Sequence, residues 1–218
     1  MRCRVSDRWV RVIVVLILCV AVATVVAAYL ELHEFMTLQS RRNYLVLVHM
    51  ALSQYQEQHG RLPALHSKED DAGVVESWRM TIAPLLRSLR SQRSPGNAAV
   101  SEDWADVQRI FRGSDVGGCV MAVFHTHSVW SESNGQSAID PAIDDDPVIA
   151  VFWPDANVEW GKPVDLVVHG ERVAFWTPEG EGMAIVSMQD VFLLRLSGQI
   201  DFPGGSTSTA EMANLLVE

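Results

Sequence analysis

The sequence predicts an α+β protein in which one long N-terminal helix packs on a mainly antiparallel β-sheet. Three observations predict this class. An apolar run, Val12–Leu30, lies near the N-terminus. Apolar residues then follow at helical spacing as far as Tyr55, and neither proline nor glycine occurs between Asp7 and Gly60. After Gly117 the pattern changes to short runs rich in β-branched and aromatic residues, with turns between them.

The run Val12–Leu30 predicts a membrane-spanning helix, because about 18 or more consecutive apolar residues suffice to cross a bilayer. A cleaved signal peptide is the alternative, although its apolar core is usually shorter. Four arginines and one aspartate precede the run, and two glutamates follow it before the next arginine. Since positive residues stay on the cytoplasmic side, we expect a single-pass inner-membrane protein with its N-terminus inside.

This topology predicts four segments. Residues 1–11 form a cytoplasmic N-terminus and residues 12–30 the transmembrane helix. Residues 31–60 form a helical stalk that continues into the domain, and residues 61–218 form a periplasmic α+β domain.

The stalk has an apolar stripe that needs a covering surface. Its residues alternate at steps of three and four: Leu45, Val48, Leu52 and Tyr55. Such a stripe is stabilised by packing against other elements, which here predicts contact with the domain. Gly60 favours the end of the helix, and Pro63 prevents the helix from resuming.

The remaining elements follow from local patterns. Helices are predicted at Ser77–Ser91, at Ser101–Phe111 with Ser101 as N-cap, and at Thr207–Glu218. Five or six strands are predicted in the following runs: Cys119–His125, Val148–Trp153, Val164–His169, Arg172–Thr177, Met183–Met188 and Val191–Leu196.

Charge and cysteine content restrict the partners. From Glu31 onward the chain has 13 Lys and Arg against 26 Asp and Glu, which argues against a nucleic-acid partner. We expect membrane lipid to be bound through residues 12–30, and proteins of the cell envelope as further partners. Cys119 is the one cysteine in the predicted external domain, so no intrachain disulfide is available and a buried, inert thiol is expected.

No catalytic motif is present, and we expect no enzyme activity and no cofactor. The chain lacks a G-x-S-x-G turn and a glycine-rich phosphate loop. His125 and His127 form an H-x-H pair, and Asp144 and Asp146 belong to an acidic run, so these four are the candidate metal ligands. Exposed polar residues and a solvated acidic loop explain both groups, and we therefore expect no metal.

Three segments resemble a known family. RRNYLVLVHMALSQYQEQHGRLPAL, SWRMTIAPLLRSL and VEWGKPVDL follow in the order seen in a pilin-like domain family of unknown function that is expanded in planctomycetes. The matching residues of the first segment are Asn43, Leu45, Ala51, Leu52, Tyr55, Gly60, Leu62 and Pro63. The resemblance implies a pilin-like fold. Because no prepilin cleavage motif precedes Val12, it also implies a divergent, uncleaved, anchored member.

These observations lead to two functional hypotheses. The first is a membrane-anchored, pseudopilin-like periplasmic protein with a non-enzymatic structural or interaction role, linked by the resemblance to a type II secretion-like system. The alternative is an extracytoplasmic binding module that takes a small solute, glycan or metal through the loops at 125–146. A hydrolase ranks third, because it rests on the H-x-H pair alone.

Overall fold

The computed structural model describes residues 7–66, 75–93, 105–112, 118–124, 130, 146–154, 156, 158–159, 161–185, 187–203 and 206–217. The helices are α1 (Asp7–His59), α2 (Trp78–Arg93), α3 (Ala105–Arg112) and α4 (Thr209–Val217). The strands are β1 (Cys119–Phe124), β2 (Val148–Trp153), β3 (Asp165–His169), β4 (Arg172–Thr177), β5 (Gly180–Ala184), β6 (Ser187–Gln189), β7 (Phe192–Arg195), β8 (Ile200–Asp201) and β9 (Ser206–Ser208).

Seven of these strands form one mixed sheet in the order β5-β4-β3-β1-β2-β7-β8. Its neighbouring strands are antiparallel except β1 and β3, which run parallel. The parallel pair is short, with Val123 opposite Leu166 and Phe124 opposite Val167. Strands β6 and β9 pair with each other in a separate two-stranded sheet. The α+β prediction is confirmed, and the sheet is mixed.

Both faces of the large sheet are covered, which explains why its strands read as nearly continuous apolar runs. Residues 148–152 of β2 are all buried. Alternate residues of β1, such as Cys119 and Met121, belong to one core cluster with Met212 and Leu216 of α4. On the other face, the Arg41 guanidinium of α1 lies 5.8 Å from the centre of the Phe152 ring. The buried Cys119 confirms the expected buried thiol.

The chain divides into two compact units, Met1–Gln39 and Ser40–Glu218. The part of α1 in the second unit has the predicted stripe, because Leu45, Val48 and Leu52 are almost completely buried. The helix ends where glycine predicts it. Gly60 has a φ of 70°, and its N–H donates to the Gln56 carbonyl at 2.7 Å.

Helix α4 starts with a capping box, the reciprocal arrangement that satisfies exposed N–H groups at a helix N-terminus. The Ser208 backbone N–H and hydroxyl donate to the Glu211 carboxylate at 3.1 and 2.9 Å. The Glu211 N–H lies 3.4 Å from the Ser208 hydroxyl oxygen. These bonds from Ser208 lower the pKa of Glu211. The predicted closing helix is confirmed.

One predicted strand is wrong as a single element. The run Met183–Met188 is divided between β5, which ends at Ala184, and β6, which begins at Ser187 in the other sheet. The reason is non-local, because two different partner strands take the two halves, and the local pattern carries no information about partners. Helix α3 begins at Ala105 in the structure, and its predicted N-cap, Ser101, lies outside the described residues.

Candidate functional site

The apolar run in α1 is the largest exposed apolar surface of the described chain. Every side chain from Arg11 to Met36 is exposed, including Leu16 at 61% and Val25 at 69%. Within the described residues, one helix is long and apolar enough to cross a membrane by length and composition. A soluble protein rarely leaves such a surface in water. The prediction of a membrane helix is supported to this extent.

Two aromatic residues stand at the ends of this run. Trp9 and Tyr29 are 66% and 65% exposed. At 1.5 Å per residue they lie roughly 30 Å apart along the helix axis, which is the thickness of the bilayer hydrocarbon core. Trp and Tyr are enriched at both membrane–water interfaces, so this spacing fits a helix that crosses the bilayer.

Of the four candidate metal ligands, His125, His127 and Asp144 lie outside the described residues. Asp146 is described, and its carboxylate accepts hydrogen bonds from the backbone N–H of Ser197, at 2.7 Å, and from the Ser197 hydroxyl. Asp146 thus anchors the turn between β7 and β8. The described residues contain no group of three or more His, Cys, Asp or Glu placed to hold a metal ion.

The same turn holds a cluster of polar contacts. Arg195 donates from Nε to Asp201 at 2.7 Å and from Nη1 to the Asp146 carbonyl at 2.8 Å. Gln199 donates from Nε2 to Asp201 at 2.7 Å. The hydrogen bonds from Gln199 and Arg195 lower the pKa of Asp201. These groups bind one another and so fix the turn.

The turn also contacts α1 through His49. The His49 Nε2 lies 3.1 Å from the Leu196 carbonyl oxygen, and because a carbonyl only accepts, this nitrogen carries the proton. Gly198 lies against the same ring, with a φ of 90°. A Cβ at position 198 would lie 2.7 Å from the His49 Cε1. The glycine is therefore required both by its backbone conformation and by its close approach to the helix.

Among the described residues, the most strongly buried polar site is an ion pair between α2 and β3. The Arg79 Nη2 lies 2.7 Å from the Asp165 Oδ1, and both side chains are completely buried. Buried charges are rare unless they are fully paired, because leaving water is costly for an ion. We call Ser77, Trp78, Arg79 and Asp165 the buried polar cluster.

The guanidinium of Arg79 has a full set of acceptors, one for each of its five N–H groups. The acceptors and their distances are Val120 O (2.5 Å), Ser77 Oγ (2.7 Å), Lys162 O (3.0 Å), Val164 O (2.8 Å) and Asp165 Oδ1 (2.7 Å). Ser77 immediately precedes α2, Val120 lies in β1, Lys162 and Val164 lie in the segment that leads into β3, and Asp165 is the first residue of β3. Arg79 therefore joins β1 to β3 at the end where their backbones do not pair.

The two oxygens of Asp165 have different surroundings. Oδ1 accepts from the Trp78 Nε1 at 3.0 Å, from Arg79, and from the Ala122 backbone N–H at 2.8 Å. Oδ2 is buried and has no hydrogen-bond partner among the described residues. Burial raises the pKa of Asp165, and the charge of Arg79 and these hydrogen bonds offset part of the rise. The five N–H groups of Arg79 and the Trp78 Nε1–H are used within the fold, and the cluster joins α2 to β1 and β3.

The buried polar cluster was not predicted from the sequence, although a signal for it exists. Arg79 stands in an otherwise apolar stretch of α2, and Asp165 stands in the apolar run Val164–Val168. One charge in each of two apolar elements, with opposite signs, is consistent with a buried ion pair, because buried charges need a partner. Nothing local shows that the helix and the strand are neighbours.

Comparison with known proteins corrects the predicted family. Residues 28–80 match the family model described as the ubiquitin-activating enzyme E1 four-helix bundle. No curated protein and no solved structure matches the chain. Among the described residues of the matched range, the helices are the second part of α1 and the first turn of α2. The pilin-like resemblance is wrong, because the family model that matches the chain is a different one.

The residues that suggested a pilin-like protein have a local explanation. Leu45, Ala51 and Leu52 form the buried stripe of α1, and Gly60 takes the positive φ that ends the helix. Any helix with one buried face and a glycine end shows this pattern. The pilin-like fold, the pseudopilin role and the link to secretion therefore lose their support.

Proposed function

We propose that this protein is a single-pass membrane protein whose folded unit, Ser40–Glu218, has a non-enzymatic structural or interaction role. The observation that carries the proposal is the exposed apolar run Val12–Leu30 of α1. The aromatic residues at its ends support the same conclusion, since Trp9 and Tyr29 are separated by the thickness of a bilayer core.

The charge distribution supports an orientation with the N-terminus in the cytoplasm. Four arginines precede the run, whereas Glu31 and Glu34 follow it. Positive residues near a span remain on the cytoplasmic side, which places the folded unit outside the cytoplasm.

A role in interaction rather than in catalysis is supported by the use of the polar groups. The five N–H groups of Arg79 and the carboxylate of Asp146 are occupied by contacts within the fold. The alternative, a binding module for a small solute, glycan or metal, depends on the loops at 125–146. Most of those residues lie outside the described part of the chain, so this alternative stays a prediction.

Orientation can be tested with thiol labelling in intact cells. Both test chains carry Cys19→Ala. The first keeps Cys3, which reports on the N-terminus. The second carries Cys3→Ser and Glu179→Cys, and its new thiol, at an exposed turn, reports on the folded unit. A membrane-impermeant maleimide should label Glu179→Cys in intact cells and Cys3 only after lysis. The reverse pattern would overturn the orientation. Release of the chain by alkaline carbonate would overturn the anchor.

The interaction role needs a separate measurement. Crosslinking of the tagged chain in its native membrane, followed by mass spectrometry, should recover specific envelope proteins. A matched sample with the span but without residues 61–218 identifies proteins that bind the helix alone. Recovery of the same proteins in both samples, or of none, would count against an interaction role for the folded unit.

A further inference from the structure

The part of α1 that follows the apolar run has one apolar face. Leu32, Phe35 and Met36 are 56%, 58% and 61% exposed. They are three and four residues apart, so they lie on one side of the helix. We call these three residues the membrane-proximal face.

Charged residues avoid this face. At about 100° per residue, the three apolar side chains fall within an arc of roughly 100°. Glu34 lies on the opposite side of the helix, and Glu31 and His33 lie on its flanks. A helix with an apolar face and a charged opposite face is typical of segments that lie at the surface of a bilayer.

The face is continuous with the apolar run. Going backwards along the helix in steps of three and four, Leu32 is preceded by Ala28, Val25, Ala21 and Leu18. On the opposite side the apolar surface stops at Leu30, because Glu31 and Glu34 follow. One side of α1 is therefore apolar for about two turns more than the other.

The position of the face along the helix fits the interfacial layer. Leu32 and Met36 lie roughly 4 and 10 Å beyond Tyr29 along the helix axis. The headgroup layer on each side of the hydrocarbon core is about 5–8 Å thick, so an upright helix would place Leu32 within this layer and Met36 just beyond it. A tilt toward the face brings Met36 closer to the bilayer. A helix whose apolar surface extends further on one side matches the thickness of the bilayer when it tilts toward that side.

We infer that the membrane-proximal face lies in the phospholipid interface, with α1 tilted so that Leu32, Phe35 and Met36 point toward the bilayer. This inference rests on the proposed membrane anchor. Lipid is favoured over a second copy of the chain by continuity, because the face extends the apolar side of the span without a break at Ala28 and Val25. At a bilayer surface the carboxylates of Glu31 and Glu34 extend into water.

Site-directed spin labelling of the full chain in phosphatidylcholine proteoliposomes tests the inference. The background has Cys3→Ser and Cys19→Ala, and Cys119 stays because it is completely buried. Labels are placed one at a time at Leu32→Cys, Phe35→Cys and Met36→Cys. Glu34→Cys is the matched control on the opposite side, and Val25→Cys is the control within the span.

Collision with oxygen reports lipid contact, and collision with a nickel chelate reports water contact. Oxygen should dominate at the three face positions and at Val25→Cys, and the nickel chelate at Glu34→Cys. Nickel-dominated collisions at the face with oxygen-dominated collisions at Val25→Cys would overturn the inference and leave the anchor intact. Nickel-dominated collisions at Val25→Cys would overturn the anchor itself. Spin–spin broadening at Leu32→Cys and Phe35→Cys would show a second copy on the face and also overturn the inference.

Discussion

The two units of the chain use the same kinds of residue in opposite ways. Val20, in the unit Met1–Gln39, is 55% exposed and helical, whereas Val151, in the unit Ser40–Glu218, is completely buried and lies in β2. Both stand in valine-rich runs. The length of the run differs, since the first continues for about five helical turns and the second is the length of one strand. The length of an apolar run and the elements that it packs against, rather than its composition, decide whether it forms a helix or a strand and whether it is exposed or buried.

The largest expected effect on stability concerns the buried ion pair of Arg79 and Asp165. The apolar run of the first unit has no such pair. Arg79→Met should lower the free energy of unfolding by about 3–5 kcal/mol, because it leaves Asp165 buried without its cation. Urea unfolding of the full chain in detergent, followed by tryptophan fluorescence, measures the loss. Arg172→Met is the matched control. Arg172 pairs with Glu181 at 2.9 Å on the surface, and its loss should cost under about 1 kcal/mol.

A second variant separates charge from packing at the same site. Arg79→Met combined with Asp165→Asn removes both charges and keeps an acceptor for Trp78 and Ala122, so this double variant should be more stable than Arg79→Met alone. If the double variant loses at least as much stability as the single variant, the buried ion is not the source of the loss.

The next effect tests the first unit. Val20→Arg places a charge near the middle of the apolar run and should cost about 2.5–3.5 kcal/mol of membrane insertion. The measurement is the fraction of chain retained in carbonate-washed membranes, with Val20→Leu as the control of similar size. An unchanged membrane fraction in Val20→Arg would contradict a spanning helix. The two units would then not differ in their surroundings as proposed.

A smaller effect is expected where α1 meets the sheet. Gly198→Ala should destabilise the domain by about 1–3 kcal/mol, because alanine is strained at this positive φ and its Cβ would press on the His49 ring. Thermal unfolding measures the loss. The same substitution in a His49→Ala chain should cost less, since only the backbone strain remains. Equal losses in both chains would show that the contact with α1 is unimportant.

The smallest effect concerns pH. The pKa of Asp201 lies below its ordinary value of 3.8, so the carboxylate contributes stability above that value, and the contribution is lost as pH falls through the folded pKa. Asp201→Asn should therefore differ most from wild type above pH 3.8, and the two melting temperatures should converge at lower pH. A constant difference across the acid range would exclude the titration of Asp201 as its source.

The sequence is sufficient for elements that depend on local pattern. The long apolar helix, the buried stripe at Leu45 to Leu52, the glycine end at Gly60 and most strands have signals within a few residues, and the structure has them. The pairing of strands cannot be predicted from local pattern in the same way. The parallel pairing of β1 and β3 joins segments about 40 residues apart, and no local pattern specifies it.

The candidate sites show the same limit. The sequence directed attention to histidines and aspartates close together in the chain, at 125–127 and 144–146. In the structure Asp146 holds a turn, and the strongest electrostatic site joins Arg79 to Asp165. Two isolated charges in apolar runs do not reveal their pairing until the helix is placed on the sheet.

The shared acceptors of Arg79 have a consequence for how the domain unfolds. The guanidinium is satisfied only when α2, β1 and the segment before β3 are all in place. If one of these segments detaches, charged and polar groups of the others remain buried without partners, which is costly. Partly unfolded states in which one of these segments is detached therefore have a high free energy. One arginine makes separate parts of the chain cooperative, so that they fold and unfold together.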